Sequence, residues 1–305
     1  MNRGGRMVEL SSIKTEQKNK RTEHIDRLDT IEILNLINEE DKKVAFAVEK
    51  EIDHISKAVD IIYDAITKGG RLIYCGCGTS GRLGILDAVE CPPTFGTDPW
   101  LVQGIIAGGT GAFVKAVEGA EDNLTMGEID LKGIEFSSKD VLVGIAASGR
   151  TPYVIGAINY AKGIGAKTIS LTCCPGSEIN NLTDISIAPK TGAEVITGST
   201  RMKCGTAQKL VLNMISTSVM IKLGKVYGNL MVDVKATNEK LLERTVSIVR
   251  SVTGVEDEIA RKVLSECEYS AKTAIVMIQH DFTKEEAERA LIDAEGRISS
   301  IRYER

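Results

Sequence analysis

The sequence has no excess of positive charge: 38 Lys and Arg stand against 42 Asp and Glu, a formal net charge of −4. Affinity for nucleic acid or for an acidic membrane surface is driven by such an excess, so neither partner is expected. The absence of a recognisable helix-turn-helix or basic domain argues against a transcriptional sensor. Long apolar runs are missing too. The longest, Leu210 to Ile221, carries Asn213 and is too short to span a bilayer, so it reads as a buried helix. The first 30 residues are polar and charged, with no secretory apolar region. Cys75, Cys77, Cys91, Cys173, Cys174, Cys204 and Cys267 form no paired CxxC framework, which predicts reduced thiols, no structural metal and a cytoplasmic location. Histidine is scarce: His24 and His54 precede the strand region and His280 lies in the tail, so general acid–base work falls to carboxylates.

What is present is a folded protein's composition, 43% hydrophobic and 26% charged, in 305 residues, enough for about two domains. Residues 1–40 read as a lead-in, with Lys14 to Arg21 a solvated segment rather than a binding arm. From Asp41 to Lys68, Val44, Ala47, Val48, Ile52, Ile55, Val59, Ile62 and Ile66 recur at three- and four-residue steps, predicting one long helix stopped by Gly69-Gly70. Five short apolar runs follow, Arg71–Cys75, Trp100–Ala107, Val141–Ala146, Thr168–Thr172 and Asp184–Ala188, alternating with helical patterns or Gly/Ser/Thr loops. That alternation predicts an α/β fold with a parallel sheet covered on both faces, spanning residues 41–237. Residues 238–305 read as a C-terminal helical region.

Parallel sheets bind ligands at the carboxyl ends of their strands. After the first run comes Gly76-Cys77-Gly78-Thr79-Ser80-Gly81-Arg82, and after the third Ser148-Gly149-Arg150-Thr151, with Pro152 opening a helix. A third loop, Gly198-Ser199-Thr200-Arg201, precedes the late helix. Hydroxyls and helix N-termini together suit an anion, which makes Thr79, Ser80, Ser148 and Thr151 candidates for a phosphate and Ser199 and Thr200 candidates for the rest of a phosphomonoester ligand. Simple helix capping is the competing use of such residues. Gly76, Gly78 and Gly81 also fit GxGxxG, but the second strand ends in Ile105-Ile106-Ala107-Gly108-Gly109, without the carboxylate that dinucleotide binding wants.

These loops resemble those of the sugar isomerase (SIS) family, an αβα sandwich with a five-stranded parallel sheet; the resemblance assigns Ser80, Ser148 and Thr151 to the phosphate. Aminosugar isomerases carry polar residues where this chain has Ala146-Ala147, which weakens that reading. Longer strings are similar to the N-acetylmuramic acid 6-phosphate etherase family: Gly78 to Asp87, Glu90-Cys91-Pro92-Pro93-Thr94, Ala116 to Asp122, Ile145 to Tyr153, Gly198 to Lys203 and Gly228 to Val234. Some are shared with glucokinase regulatory proteins, which keeps a phosphosugar-sensing regulator open beside the isomerase and the etherase.

The etherase resemblance implies a lyase that removes D-lactate from carbon 3 of its substrate, without metal or redox cofactor, in cell-wall sugar recycling. It implies Glu90 as proton donor and Glu121 as second acid/base group. Residue pattern alone does not separate Glu121 from Glu118, and Asp87 and Asp122 read as structural. An acid at Glu90 needs burial to raise its pKa. Glu90 lies ten residues beyond Ser80, roughly 15 Å along a regular helix. That exceeds a hexose 6-phosphate, so Glu90 serves either a neighbouring subunit in a homodimer or, after a bend at Cys91-Pro92-Pro93, its own pocket.

Overall fold

The computed structural model describes residues 14–234 and 239–301. The first thirteen residues of the expected lead-in, and the expected boundary at 237/238, lie outside them. Five strands, β1 Leu72–Gly76, β2 Val102–Ile106, β3 Val141–Ile145, β4 Lys167–Leu171 and β5 Ile185–Ile187, form one parallel sheet in the order β2-β1-β3-β4-β5. Each lies within two residues of its predicted run. The central strands β1 and β3 are buried at every position and read as apolar runs, while β2, β4 and β5 admit Gln103, Thr168, Ser170 and Ser186.

The helices are α1 Thr30–Glu49, α2 Ile52–Thr67, α3 Gly78–Phe95, α4 Gly111–Val114, α5 Leu124–Gly133, α6 Pro152–Gly163, α7 Glu178–Leu182 and α8 Lys203–Lys222. The αβα sandwich follows from their packing. Ile73, Cys75 and Leu142 meet Leu131, Tyr153, Val154 and Ile158 of α5 and α6 on one face. On the other, Gly84 of α3 sits so close to Tyr74 and Ile145 that any side chain would collide with them.

Two expectations need correction. The helix predicted over 41–68 is two helices, broken at Lys50-Glu51, where the Glu51 carboxylate accepts the Ala188 N–H at 3.1 Å. The apolar spacing runs on across the break, so periodicity could not reveal it. The first helix also begins eleven residues earlier, at Thr30, behind a capping box in which Asp29 accepts the Glu32 N–H and Glu32 accepts the Asp29 N–H.

The chain divides into two compact units: one joins the chain up to Val89 with Pro99–Ile215, the other joins Glu90–Asp98 with the chain from Ser216 onward. The division thus falls inside α8. The second unit carries a hairpin, β6 Val226–Tyr227 and β7 Leu230–Met231, missed by the sequence reading, then α9 Glu239–Thr253, α10 Asp257–Glu266, α11 Ala271–His280 and α12 Lys284–Asp293. Val246, Val249, Leu264, Ile275 and Leu291 share its core.

A buried ion pair ties the first unit together. Lys203, at the start of α8, and Glu40, on α1, are 1% and 2% exposed, with Nζ and Oε2 2.8 Å apart. Arg21 and Lys43 reach the other Glu40 oxygen at 3.1 and 2.5 Å. Burial opposes ionisation of Glu40, but the hydrogen bonds and charges of Lys203 and Lys43 outweigh it and hold the carboxyl down at about 2.

A depressed carboxyl pKa stabilises the fold above the unfolded value and loses that contribution as pH falls through the folded one. Stability of the wild-type chain should therefore drop between about pH 4.5 and 2. Glu40→Gln strands Lys203 and should cost about 3–5 kcal/mol at pH 7, with a flatter acid limb. Denaturant melts across pH check both.

Candidate active site

Sheet order reverses between β1 and β3, and the loops that leave these two strands flank the switch point. β1 runs directly into α3. Gly76 permits the tight start, since a Cβ there would lie 2.8 Å from the Gly81 nitrogen. After β3, the chain turns at Gly149 (φ +68), where a Cβ would run into the Ser177 hydroxyl. Cys173 N–H to Ala147 O at 2.9 Å and Ile179 N–H to Gly149 O at 3.1 Å fix this loop. The third loop is held from below: the fully buried Glu194 accepts the Lys203 and Cys204 N–H groups at 2.9 Å each.

Between the loops lies a cavity of about 290 Å³ lined by Thr79, Ser80, Ser148, Thr151, Thr200 and Glu121, over a floor of Ile145-Ala146-Ala147. Six of the eight residues singled out by sequence therefore share one hollow. Two helix N-termini, those of α3 and α6, open beside it. The hydroxyls are not spent on capping at Thr151, which makes no side-chain cap bond. Ser80 gives its proton to Gln208 Oε1 at 3.0 Å, while the buried Gln208 Nε2 has no partner. Gln208, unmarked in the sequence reading, is thus the hydrogen-bond partner of Ser80.

Glu121 sits in a single 3-10 turn, Ala120–Asp122, behind Gly119 at φ +75. Between β2 and this turn the chain forms only the four-residue helix α4. That turn separates two carboxylates that look alike in sequence. Glu121 borders both the main cavity and an adjoining hollow of about 190 Å³, whereas Glu118 borders the hollow alone. Burial, with the Glu121 carboxylate nearby, pushes the Cys77 thiol up to about 12, so it stays protonated at neutral pH and supplies no nucleophile.

Other expectations do not hold as drawn. Ser199 is not among the residues lining the cavity. Glu90 is exposed, so the single chain does not bury it as expected, and α3 continues through Pro92 and Pro93 to Phe95. Asp87, by contrast, was read as structural, and it accepts the Tyr74 hydroxyl at 2.9 Å. Two lining residues come from the segment read as solvated lead-in, Thr15 and Glu16. No local signal marks them, because residues far along the chain put them there.

With this geometry in view, relatives can be compared. Residues 54–162 match the glucokinase regulatory protein N-terminal SIS domain, 134–218 the SIS domain, and 228–298 the C-terminal lid domain of glucokinase regulatory protein. The N-acetylmuramic acid 6-phosphate etherase of Clostridium botulinum (strain Loch Maree / Type A3) is 58% identical over 291 residues, covering 95% of this chain and 96% of the relative. That of Photobacterium profundum is 57% identical, covering 95% and 97%. A phosphoheptose isomerase from Francisella tularensis has a TM-score of 0.51 at 18% identity, covering 64% of this chain and 100% of that one, and speaks for the fold alone.

If the hydroxyl loops hold a phosphate, Ser148→Ala should weaken binding of inorganic phosphate by about 1.5–3 kcal/mol. Calorimetric titration reads this directly, and an unchanged affinity would remove Ser148 from the anion site.

Proposed function

The chain belongs to the N-acetylmuramic acid 6-phosphate etherase family, and from that membership we propose how its cavity does the family's chemistry. The enzyme is a carbon–oxygen lyase that cleaves the D-lactyl ether of N-acetylmuramic acid 6-phosphate, yielding N-acetylglucosamine 6-phosphate and D-lactate. The observation that carries the site assignment is the meeting of Ser80, Ser148 and Thr151 with Glu121 in one cavity over an apolar Ala146-Ala147 floor.

An alkyl ether resists direct hydrolysis because an alkoxide leaves poorly. In the open-chain sugar, the carbonyl acidifies the carbon 2 proton, and the ether oxygen is β to the resulting enolate. A base removes that proton, an acid protonates the departing lactate oxygen, and the carbon 3–oxygen bond breaks. Water then adds at carbon 3 and a proton returns to carbon 2. The hydroxyls of Ser80, Ser148 and Thr151, with the two helix N-termini, hold the phosphate and set the register of the sugar. Thr79 and Thr200 complete the polar wall. Glu121 is the acid/base group within the cavity and Glu90 the proton donor to lactate.

We extend the reading to a cytoplasmic homodimer in which Glu90 serves the neighbouring subunit's cavity. Support comes from its exposure and from its place about 15 Å beyond Ser80 along α3. A sensor or an isomerase with this fold would release no lactate, so a lactate assay with the purified protein tests the activity itself.

Glu121→Gln and Glu90→Gln should each lower kcat on the order of a hundredfold, with folding intact, and Glu118→Gln should do far less. Equal mixtures of the Glu90→Gln and Glu121→Gln proteins should regain about a quarter of wild-type activity if each site draws on two subunits; no recovery places Glu90 in its own subunit. In heavy-oxygen water the label should enter carbon 3 of the sugar, and its appearance in the lactate hydroxyl would overturn the elimination.

A further inference from the structure

The N-terminal segment lies across the third loop and reaches into the cavity. Thr22 Oγ1 donates to Val195 O at 2.7 Å, Asn19 Nδ2 donates to Ala193 O at 3.5 Å, and Arg21 pairs with Glu40 at 3.1 Å. These bonds hold the preceding turn, Lys14–Glu16, so that Thr15 and Glu16 form part of the cavity wall.

Both side chains are poised for a ligand. Thr15 is 1% exposed, and its Oγ1 has no hydrogen-bond partner. A buried hydroxyl without a partner weakens the fold, so one on a polar cavity wall points to a bond formed with something that enters. Glu16 stands against Gly198: a Cβ on that glycine would lie 2.8 Å from Glu16 Oε2. An ionised carboxylate only accepts hydrogen bonds and repels an anion, so it cannot hold phosphate. Its partner must be a donor, and a sugar supplies hydroxyl and amide donors.

We propose that Thr15 and Glu16 form a substrate-binding pair that grips the sugar, at the Gly198–Thr200 side of the cavity, while Ser80, Ser148 and Thr151 grip the phosphate. The proposal rests on the phosphosugar reading of the site and divides it into two ends. Discrimination among sugar phosphates then belongs to a segment outside the sheet, and affinity for phosphate to the loops within it.

Calorimetric titration with N-acetylglucosamine 6-phosphate and with inorganic phosphate tests the division. Glu16→Gln and Thr15→Val should each weaken the sugar phosphate about tenfold, as expected for one lost hydrogen bond, and leave inorganic phosphate unchanged. Thr15→Val should also melt at the wild-type temperature or above, because it removes an unsatisfied hydroxyl; a structural threonine would instead lose stability. Unchanged sugar-phosphate affinity in both variants, or equal loss for both ligands, overturns the pair. Lactate release by the wild-type protein decides the etherase reading separately, since these titrations require no turnover.

Discussion

Glu40 and Lys203 form the contact on which the rest of the first unit depends. Two full charges are held almost out of water, one on the first long helix and one at the head of the helix after the sheet. Such a pair costs desolvation energy that its own attraction only partly offsets, so its value lies in the geometry it enforces. Arg21 adds the N-terminal segment to the same carboxylate, while the Glu194 carboxylate, from the stretch before the third loop, accepts the N–H of the lysine's own residue. Three stretches that never touch in sequence are thereby referred to one point, and the cavity's polar wall stands on it.

Within that frame the cavity divides its chemistry by donor type. Hydroxyls and helix N-termini line it as donors, and Glu16 and Glu121 line it as acceptors. The floor offers neither, being alanine and isoleucine. Burial keeps Cys77 protonated next to Glu121, so the thiol adds no further negative charge beside the carboxylates. Such a site takes a molecule with one strongly anionic end and a hydroxylated body, and works on its protons with carboxylates.

The parallel sheet was readable from the amino-acid order because its central strands β1 and β3 are buried throughout and its other strands are largely apolar. The loops after β1 and β3 stood out for the same reason: once the strands are located, the binding edge follows. The break at Lys50-Glu51 was not readable, since the apolar spacing continues through it and the cause is a bond to Ala188. Glu118 and Glu121 were separable only by resemblance, because the turn at Gly119 that parts them is a backbone event. Gln208, buried on α8 beside Ser80, looked like any helix glutamine. Thr15 and Glu16 were hidden most deeply, in a charged stretch that has every local mark of a solvated tail.

The bonds that seat this stretch have a consequence for how the protein is made. Asn19 and Thr22 leave the ribosome well ahead of their partners, since Ala193 and Val195 follow 174 and 173 residues later. Arg21 finds Glu40 soon, but the lysine that completes the pair is residue 203. Asn19 and Thr22 thus wait through the synthesis of 174 and 173 further residues before their partners exist. Closing so long a loop carries an entropic cost that local contacts cannot offset beforehand. During translation the sheet can assemble strand by strand, but the pocket has no finished wall until the third loop has emerged and its opening segment has folded back over it.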